Sequence, residues 1–240
     1  MTCSPQRKDG RRGDRLVTLV LFDIDGTLIQ TGRAGVRGMN RAFGDLFGAP
    51  DALDGVPVAG RTDRAIVSEV LTKIGQPVET STITRVRDEY CRHLPDALAD
   101  PASRPMNVLP GVLELLEALE SRQDVVTALL TGNFVAGAAI KLGHFDLWTR
   151  FVFGAFGDEH TERRALVPVA VAEAARHGHT TFAPDRIVVI GDTPLDVDCA
   201  HANGSRAIAV ATGMYSMDTL RDTNADLTVA TLADVSPDWF

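Results

Sequence analysis

Residues 16–29 read LVTLVLFDIDGTLI, and this stretch decides the fold. Leu16 to Ile24 is a mostly apolar, β-branched run closed by Gly26, a pattern typical of a strand buried on both faces of a sheet. Asp23 and Asp25 lie two residues apart, so both carboxylates point to the same side of the chain. Close like charges are costly unless a cation or a shared proton compensates. The sequence therefore predicts a reaction or metal site at the end of a buried strand, whereas a single Asp there would indicate an ordinary turn.

Strands and helices alternate through the rest of the 240 residues. The pattern predicts further strands at 125–130, 151–156, 187–190, 207–211 and 227–230, and helices at 111–120, 135–142, 164–177, 195–202 and 217–223. Alternation of this kind indicates an α/β fold, an open parallel sheet with helices on both faces in three layers. Ligands of such sheets bind beyond the carboxyl ends of the strands.

A long segment interrupts this alternation after the first strand. About 78 residues, from Gln30 to Asn107, are too many for a loop. Their apolar spacing predicts helices at 36–47, 65–74 and 83–94, ended by Gly48, Gly75 and Pro95. We therefore expect a core domain of residues 16–29 and 109–240 and a helical domain of residues 30–108. The inserted helices either stabilise the edge of the sheet or form a lid over the site, and the lid is favoured because both ends of the insert emerge beside the first strand.

Charge and composition exclude several classes of protein. With 24 basic and 32 acidic residues the formal charge is −8, which argues against nucleic acid as a partner. Residues 1–15 carry a net +3 and are expected to be a disordered basic tail. No apolar stretch near the N-terminus is long enough to predict a membrane span or a secretion signal. Three widely spaced cysteines predict neither disulfides nor a CxxC site, so a cytoplasmic protein is expected. We also expect a monomer or a homodimer.

Two further motifs follow predicted strands. Gly191-Asp192-Thr193-Pro194-Leu195-Asp196 follows the strand at 187–190, and Thr131-Gly132-Asn133 follows the strand at 125–130. Asp192 is expected to help Asp23 and Asp25 hold Mg²⁺, which prefers a few carboxylates, water and phosphate oxygens. Asp196 is expected to support the site, although Thr193 and Asp196 also have the spacing of a helix capping box. Thr131, Gly132 and Asn133 offer a hydroxyl and backbone N–H groups to a phosphate, or else a plain helix cap.

In this order and at these strand ends, DxDGT, the Thr and GDxxxD resemble the haloacid dehalogenase superfamily, in its phosphoglycolate phosphatase-like or phosphoglucomutase-like branch with a helical cap. The resemblance implies a Rossmann-like core and a Mg²⁺-dependent phosphatase acting on a small phosphorylated metabolite. It implies that Asp23 is the nucleophile, that Asp25 is the general acid and base, and that Asp23, the Asp25 carbonyl and Asp192 bind the metal. A sugar phosphomutase would use the same aspartates, and a non-catalytic binding protein could retain the fold.

One departure from the superfamily pattern concerns a lysine that usually follows the third strand. Lys8, Lys73 and Lys141 all lie elsewhere, and the expected position holds Arg163 and Arg164. Either arginine could bind phosphate instead, and the position of Leu166 favours Arg163. In the inserted segment, Arg61 and Asp63 are candidates for substrate contact, although Asp63 fits equally well as the first residue of a helix.

Overall fold

The computed structural model describes residues 17–100, 106–179 and 182–240. The basic tail predicted for residues 1–15 lies outside the described residues. Six strands of the described part form one parallel sheet: β1 Thr18–Phe22, β4 Val125–Leu130, β5 Gly154–Ala155, β6 Ile187–Gly191, β7 Arg206–Val210 and β8 Leu227–Val229. Their order across the sheet is β5, β4, β1, β6, β7, β8. The predicted α/β class is confirmed.

The strand β1 lies inside the sheet, between β4 and β6. Phe22 is in register with Leu129 of β4 and with Ile190 of β6. All five residues of β1 are buried, as expected for a strand covered on both faces. The loops that follow β1, β4 and β6 therefore begin side by side at one edge of the sheet, because parallel strands end together.

Helices cover both faces of this sheet and give it two hydrophobic layers. Those of the core are α4 Val112–Glu120, α5 Val135–Gly143, α6 Leu166–Arg176, α7 Pro194–His201 and α8 Met217–Arg221. Alternate residues of β1 divide between the layers, with Val20 and Phe22 packing beside α4 residues and Leu19 and Leu21 packing beside α6 residues. The strand predicted at 151–156 is shorter than expected and pairs only at Gly154 and Ala155, at the sheet edge.

The segment between β1 and α4 is helical, as predicted. It contains α1 Ala34–Phe47, α2 Asp63–Lys73 and α3 Thr80–Ala99, and its two ends pair as the antiparallel strands β2 Ile29–Gln30 and β3 Asn107–Val108. These helices share a hydrophobic cluster of their own, which reaches the core domain through Phe134. We call residues 30–108 the helical insert. Within the described residues, no helix is long and apolar enough to cross a membrane.

The predicted end of the third insert helix at Pro95 is wrong. The helix α3 continues through Pro95 to Ala99. Proline inside a helix removes one backbone hydrogen bond and costs about 3 kcal/mol. Leu94, Ala97 and Leu98, on both sides of the proline, are buried in the insert cluster. Their burial stabilises the last turn and outweighs that local cost.

Candidate active site

Three neighbouring strands deliver the polar residues predicted from the motifs. Asp23 directly follows β1, Thr131 directly follows β4 and Asp192 directly follows β6. All three are buried and line one cavity of about 610 Å³. Gly26, at φ +82°, turns the chain close to Asp192, where a Cβ would lie only 2.5 Å from Asp192 Oδ2. The topology thus brings the three sequence motifs together at a single site.

Arg163 supplies the positive charge that faces Asp23. Its Nη2 lies 3.0 Å from Asp23 Oδ1, and both side chains are buried. Burial raises the pKa of Asp23 to about 6, and Arg163 limits this rise. The guanidinium also donates to the Gly60 carbonyl at 3.0 Å and to Asp196 Oδ1. A single buried arginine therefore joins the first strand, the second acidic motif and the helical insert.

Asp196 caps the start of α7 and also contacts Arg163. One oxygen, Oδ2, accepts from the backbone N–H of Thr193 at 3.0 Å and from the Thr193 hydroxyl at 2.7 Å, which completes the capping box of α7. The other oxygen, Oδ1, accepts from Arg163. The carboxylate is therefore a helix cap that also orients the arginine at the nucleophile candidate.

Arg164, the other arginine predicted to bind phosphate, does not lie at the site. Its guanidinium forms a two-point ion pair with Asp198 on the outer face of α7, with N to O distances of 2.5 and 2.6 Å. The side chain is 62% exposed. Arg163 begins a short 3₁₀ turn before α6, Arg163–Ala165, and adjacent residues of such a turn point in different directions. Of the two arginines, Arg163 is therefore the one that lies beside Asp23.

Asp192 fits a bound divalent cation. Its Oδ1 is buried and accepts no hydrogen bond from the described residues. Burial, together with Asp196 and Asp23, raises the pKa of Asp192 well above its usual range. Carboxylate oxygens of Asp23, Asp192 and Asp196 lie within 4.8 Å of one another. Because an oxygen-only donor set suits a hard cation such as Mg²⁺, the residues present fit the expected metal.

Asp25 makes a different set of contacts from Asp23. Its Oδ1 accepts from the Thr31 hydroxyl at 3.3 Å, and its Oδ2 accepts from Asn133 Nδ2 at 3.0 Å. Lys141 Nζ lies 2.5 Å from the same Oδ2. Burial alone would lower the pKa of Lys141, but Asp25, Tyr90 and Asp63 reverse this and raise it. The two aspartates of the DxD motif therefore face two different cations.

Lys141 and Thr31 are site residues that the sequence analysis missed. Lys141 lies on α5, two helical turns beyond Asn133, so no motif includes it. A signal was present nevertheless, because Gly137, Ala138 and Leu142 define the buried face of α5 and Lys141 shares that face. A lysine on an otherwise apolar face indicates a buried partner of opposite charge.

The start of α2 contacts the loops of the core domain. Asp63 donates its backbone N–H to the Gly132 carbonyl at 2.6 Å, and its Oδ2 accepts from the backbone N–H of Phe134 at 2.8 Å. Thr62 and Arg64 donate to the carbonyls of Thr161 and Asp158. Burial raises the pKa of Asp63 to about 6. Asp63 is thus both the first residue of α2 and a link between the insert and the core.

The insert contributes much of the cavity wall. Arg61 lines the cavity and pairs with Glu69 at 2.7 Å. Arg33 lines it as well, at a left-handed φ of 64°. Gln30, Thr31 and Asp63 are the other polar side chains of the insert on this wall. The rest are mainly apolar: Val36, Met39, Leu53, Val58, Ala59 and Tyr90. The cavity therefore has a charged end on the core domain and a mixed, largely apolar wall on the insert.

This arrangement of strand ends and acidic residues defines a class of protein, and comparison with known families agrees. Residues 20–201 match the family model of the haloacid dehalogenase-like hydrolases, so the chain belongs to that family.

Relatives and solved structures agree with this assignment. The chain is 29% identical to the Probable phosphatase IndB of Dickeya dadantii, over 90% of this chain and 91% of that protein. It is 26% identical to a Phosphoglycolate phosphatase of Cereibacter sphaeroides, over 78% of this chain and 82% of that protein. The crystal structure of CbbY from Rhodobacter sphaeroides, in complex with phosphate, superposes with a TM-score of 0.67 at 18% identity, over 91% of this chain and 96% of that one. The last comparison shows a shared fold.

Proposed function

We propose that this chain is a Mg²⁺-dependent phosphatase that hydrolyses a small phosphorylated metabolite through an aspartyl phosphate. The observation that carries the proposal is the pair formed by buried Asp23 and Arg163 beside Asp192, whose Oδ1 accepts no hydrogen bond from the described residues. Such a site offers a nucleophile, a cation for the phosphoryl oxygens and a metal ligand within one cavity. The similarity to two named phosphatases supports the same reaction class.

The two aspartates of the DxD motif would divide the chemistry between them. Asp23 attacks phosphorus as the bond to the alcohol oxygen breaks, and Asp25 gives that oxygen a proton. A water molecule then attacks phosphorus, Asp25 takes its proton, and the bond to Asp23 breaks to release inorganic phosphate. Thr131, Gly132 and Asn133 with Arg163 would hold the phosphoryl oxygens. Proton transfer by a placed carboxyl group is typically worth about 10²–10⁴ in rate.

Asp23, Asp192 and the backbone carbonyl of Asp25 would hold the metal. Bound Mg²⁺ neutralises charge between a carboxylate and a phosphate. The chain's own contribution is to keep Asp192 Oδ1 free of other donors and to hold Asp196 on Arg163, so that the arginine stays at Asp23.

The helical insert would act as a cap that selects the substrate. In support, the Gly60 carbonyl and the Asp63 carboxylate of the insert accept hydrogen bonds from core residues. Side chains of the insert also line the cavity. Arg61 would contact the part of the substrate that is not transferred, whereas Asp63 would act in docking. We include in the proposal a reducing, cytoplasmic setting, since Cys91 and Cys199 are free thiols, and a monomer or homodimer.

The experiment that tests the function is phosphate release from a panel of small phosphate esters, with Mg²⁺ or with EDTA. We expect turnover to require Mg²⁺. We expect Asp23→Asn to lower turnover by at least about 10³-fold, because loss of a catalytic nucleophile typically has an effect of this size. Asp198→Asn is the matched control, because Asp198 lies on the surface with Arg164. Equal turnover by Asp23→Asn and wild type would remove Asp23 from its role. Phosphoryl transfer to a sugar without release of phosphate would indicate a mutase.

A further inference from the structure

Lys141 is a buried cation that the proposed reaction does not use. Its side chain is only 6% exposed, and it lies on the buried face of α5 among Gly137, Ala138 and Leu142. Burying an ammonium group costs several kcal/mol unless it is paired and hydrogen-bonded. The local packing of α5 does not need a charge at this position, since an apolar residue would fill the same face. The partners of Lys141 therefore have to account for it.

Those partners form a closed set around Asp25. Lys141 Nζ lies 2.5 Å from Asp25 Oδ2 and 2.6 Å from Asn133 Oδ1. Asn133 in turn donates to Asp25 Oδ2 at 3.0 Å and to the Thr131 hydroxyl at 2.8 Å. The Thr31 hydroxyl donates to Asp25 Oδ1 at 3.3 Å. Lys141 and Asn133 both donate to Oδ2, which holds the carboxyl group in one orientation at the cavity wall, so the proton that Asp25 transfers would be carried on Oδ1, where the Thr31 hydroxyl is the more distant neighbour.

Glycines on α1 and α5 leave room for Lys141 and Tyr90 between the helical insert and the core domain. A Cβ on Gly35 of α1 would lie 3.2 Å from Lys141 Nζ, and one on Gly137 would lie 3.0 Å from Tyr90 Cε1. Tyr90, from α3, is buried and lines the cavity beside Lys141. Helices α1 and α3 therefore enclose the ammonium group from the insert side, while α5 carries it on the core side.

We infer that Lys141 is a positioning residue for Asp25, which fixes the orientation of the general acid while the helical insert encloses the pair. The inference rests on the proposed function, because it assigns Asp25 the transfer of a proton to the leaving oxygen. Without Lys141, Asp25 Oδ2 would keep only the amide of Asn133, and Asn133 Oδ1 would lose its donor. The carboxyl group would then rotate more freely and meet the leaving oxygen less often.

The test measures single-turnover release of the alcohol from two esters, an alkyl phosphate and 4-nitrophenyl phosphate, by wild type and Lys141→Met. The nitrophenolate leaves without a proton, so its release does not need the acid. We expect Lys141→Met to slow the alkyl ester at least about 10-fold more than the nitrophenyl ester, within the range that a placed acid contributes. Lys141→Arg should restore part of the loss. Lys73→Met is the control, since Lys73 lies on α2 and donates to the carbonyls of Ala52 and Asp54.

A double-mutant cycle separates positioning from an independent role. If Lys141 acts through Asp25, then Lys141→Met should cost less than about 3-fold in an Asp25→Asn background. Losses that multiply, or an equal loss with both esters, would overturn the inference. If the wild type is active and Lys141→Met releases the alcohol from both esters at the same rates as the wild type, the inference about Lys141 is wrong but the proposed function stands. A wild type that releases no alcohol from any ester would overturn the proposed function and the inference with it.

A second variant tests the inference if Lys141→Met does not fold. Gly35→Ala keeps the ammonium group but places a methyl group 3.2 Å from Nζ, so that Nζ has to move by a few tenths of an ångström relative to Asp25. We expect the same discrimination between the two esters, in the same direction and smaller than for Lys141→Met. Gly143→Ala is the matched glycine control, because no neighbouring atom of the described residues lies within 4 Å of the added Cβ. Equal rates for Gly35→Ala and Gly143→Ala with the alkyl ester would contradict the inference.

Discussion

At the scale of single residues, Arg163 connects more of the molecule than its position in the sequence suggests. It contacts Asp23, Asp196 and the carbonyl of Gly60, and so joins the nucleophile candidate to a helix cap and to the insert. A lysine carries its three N–H donors on one nitrogen at the end of a flexible stem, whereas the planar guanidinium of Arg163 reaches Gly60 through Nη1 and the two carboxylates through Nη2 in fixed directions. The arginine at this position therefore fits its surroundings rather than merely replacing a charge.

Removing this arginine should destabilise the protein strongly. Arg163→Met leaves Asp23 and Asp196 buried without their cation, which typically costs about 3–5 kcal/mol. Arg163→Lys should lose less, because the charge remains. Urea unfolding of the metal-free protein measures the change. The control is Arg164→Met, whose exposed ion pair is screened by solvent and should contribute little to stability. Equal losses of unfolding free energy for Arg163→Met and Arg164→Met would show that the buried ion pairs of Arg163 stabilise the protein no more than the exposed ion pair of Arg164.

At the scale of elements, the loop after β7 encloses the metal-binding candidate. Gly213 lies so close to Asp192 that an added Cβ would be 1.7 Å from Asp192 Oδ2. Gly26, after β1, approaches the same carboxylate from another direction. Side chains at either position would occupy the space of the carboxylate, so two loops with glycines are needed to leave Asp192 in place.

Gly213→Ala should therefore displace Asp192 and weaken Mg²⁺ binding. We expect the apparent Mg²⁺ affinity, from calorimetric titration, to fall by at least about 10-fold, comparable to losses seen when groups supporting a metal ligand are mutated. Gly143→Ala is the control, because its Cβ would meet nothing within 4 Å. Wild-type affinity in Gly213→Ala would mean that Asp192 does not bind the metal.

Elements and motifs differ in how far sequence could predict them. The strand ends that carry Asp23, Thr131 and Asp192 follow from local apolar runs, because a buried strand has a strong pattern. The passage of α3 through Pro95 did not follow, since it depends on Leu94 and Leu98 packing against distant helices. Lys141 was missed for the same reason: its meaning depends on Asp25, 116 positions away in the chain. Local pattern fixes elements, whereas pairing across the fold is visible only in three dimensions.

At the scale of the whole molecule, three buried carboxylates lie in one cluster, so a bound cation would stabilise the folded chain. Asp23, Asp192 and Asp196 face each other, and Arg163 provides one positive charge among them. A ligand that binds only the folded state stabilises it in proportion to the logarithm of its concentration. The metal would therefore affect unfolding as well as turnover.

Mg²⁺ should raise the melting temperature of the protein relative to EDTA. At 100 times the dissociation constant the gain is about 2.7 kcal/mol, or roughly 5–10 °C for a chain of this size. Asp192→Asn should abolish the shift while leaving the metal-free protein at least as stable, because it removes a buried carboxylate that lies among Asp23 and Asp196 and whose Oδ1 accepts no hydrogen bond from the described residues. Scanning calorimetry gives both values. An equal shift in wild type and Asp192→Asn would place the cation elsewhere.

The inner position of β1 also has a consequence for biosynthesis. Its sheet partners begin only at Val125 and Ile187. At synthesis rates of about 5–20 residues per second, on the order of 5–20 s pass before β4 even exists. The helices of the insert, which share their own hydrophobic cluster, emerge during that interval. On the ribosome, the apolar strand β1 thus waits without its sheet partners, whereas the helical insert has all its helices available to fold.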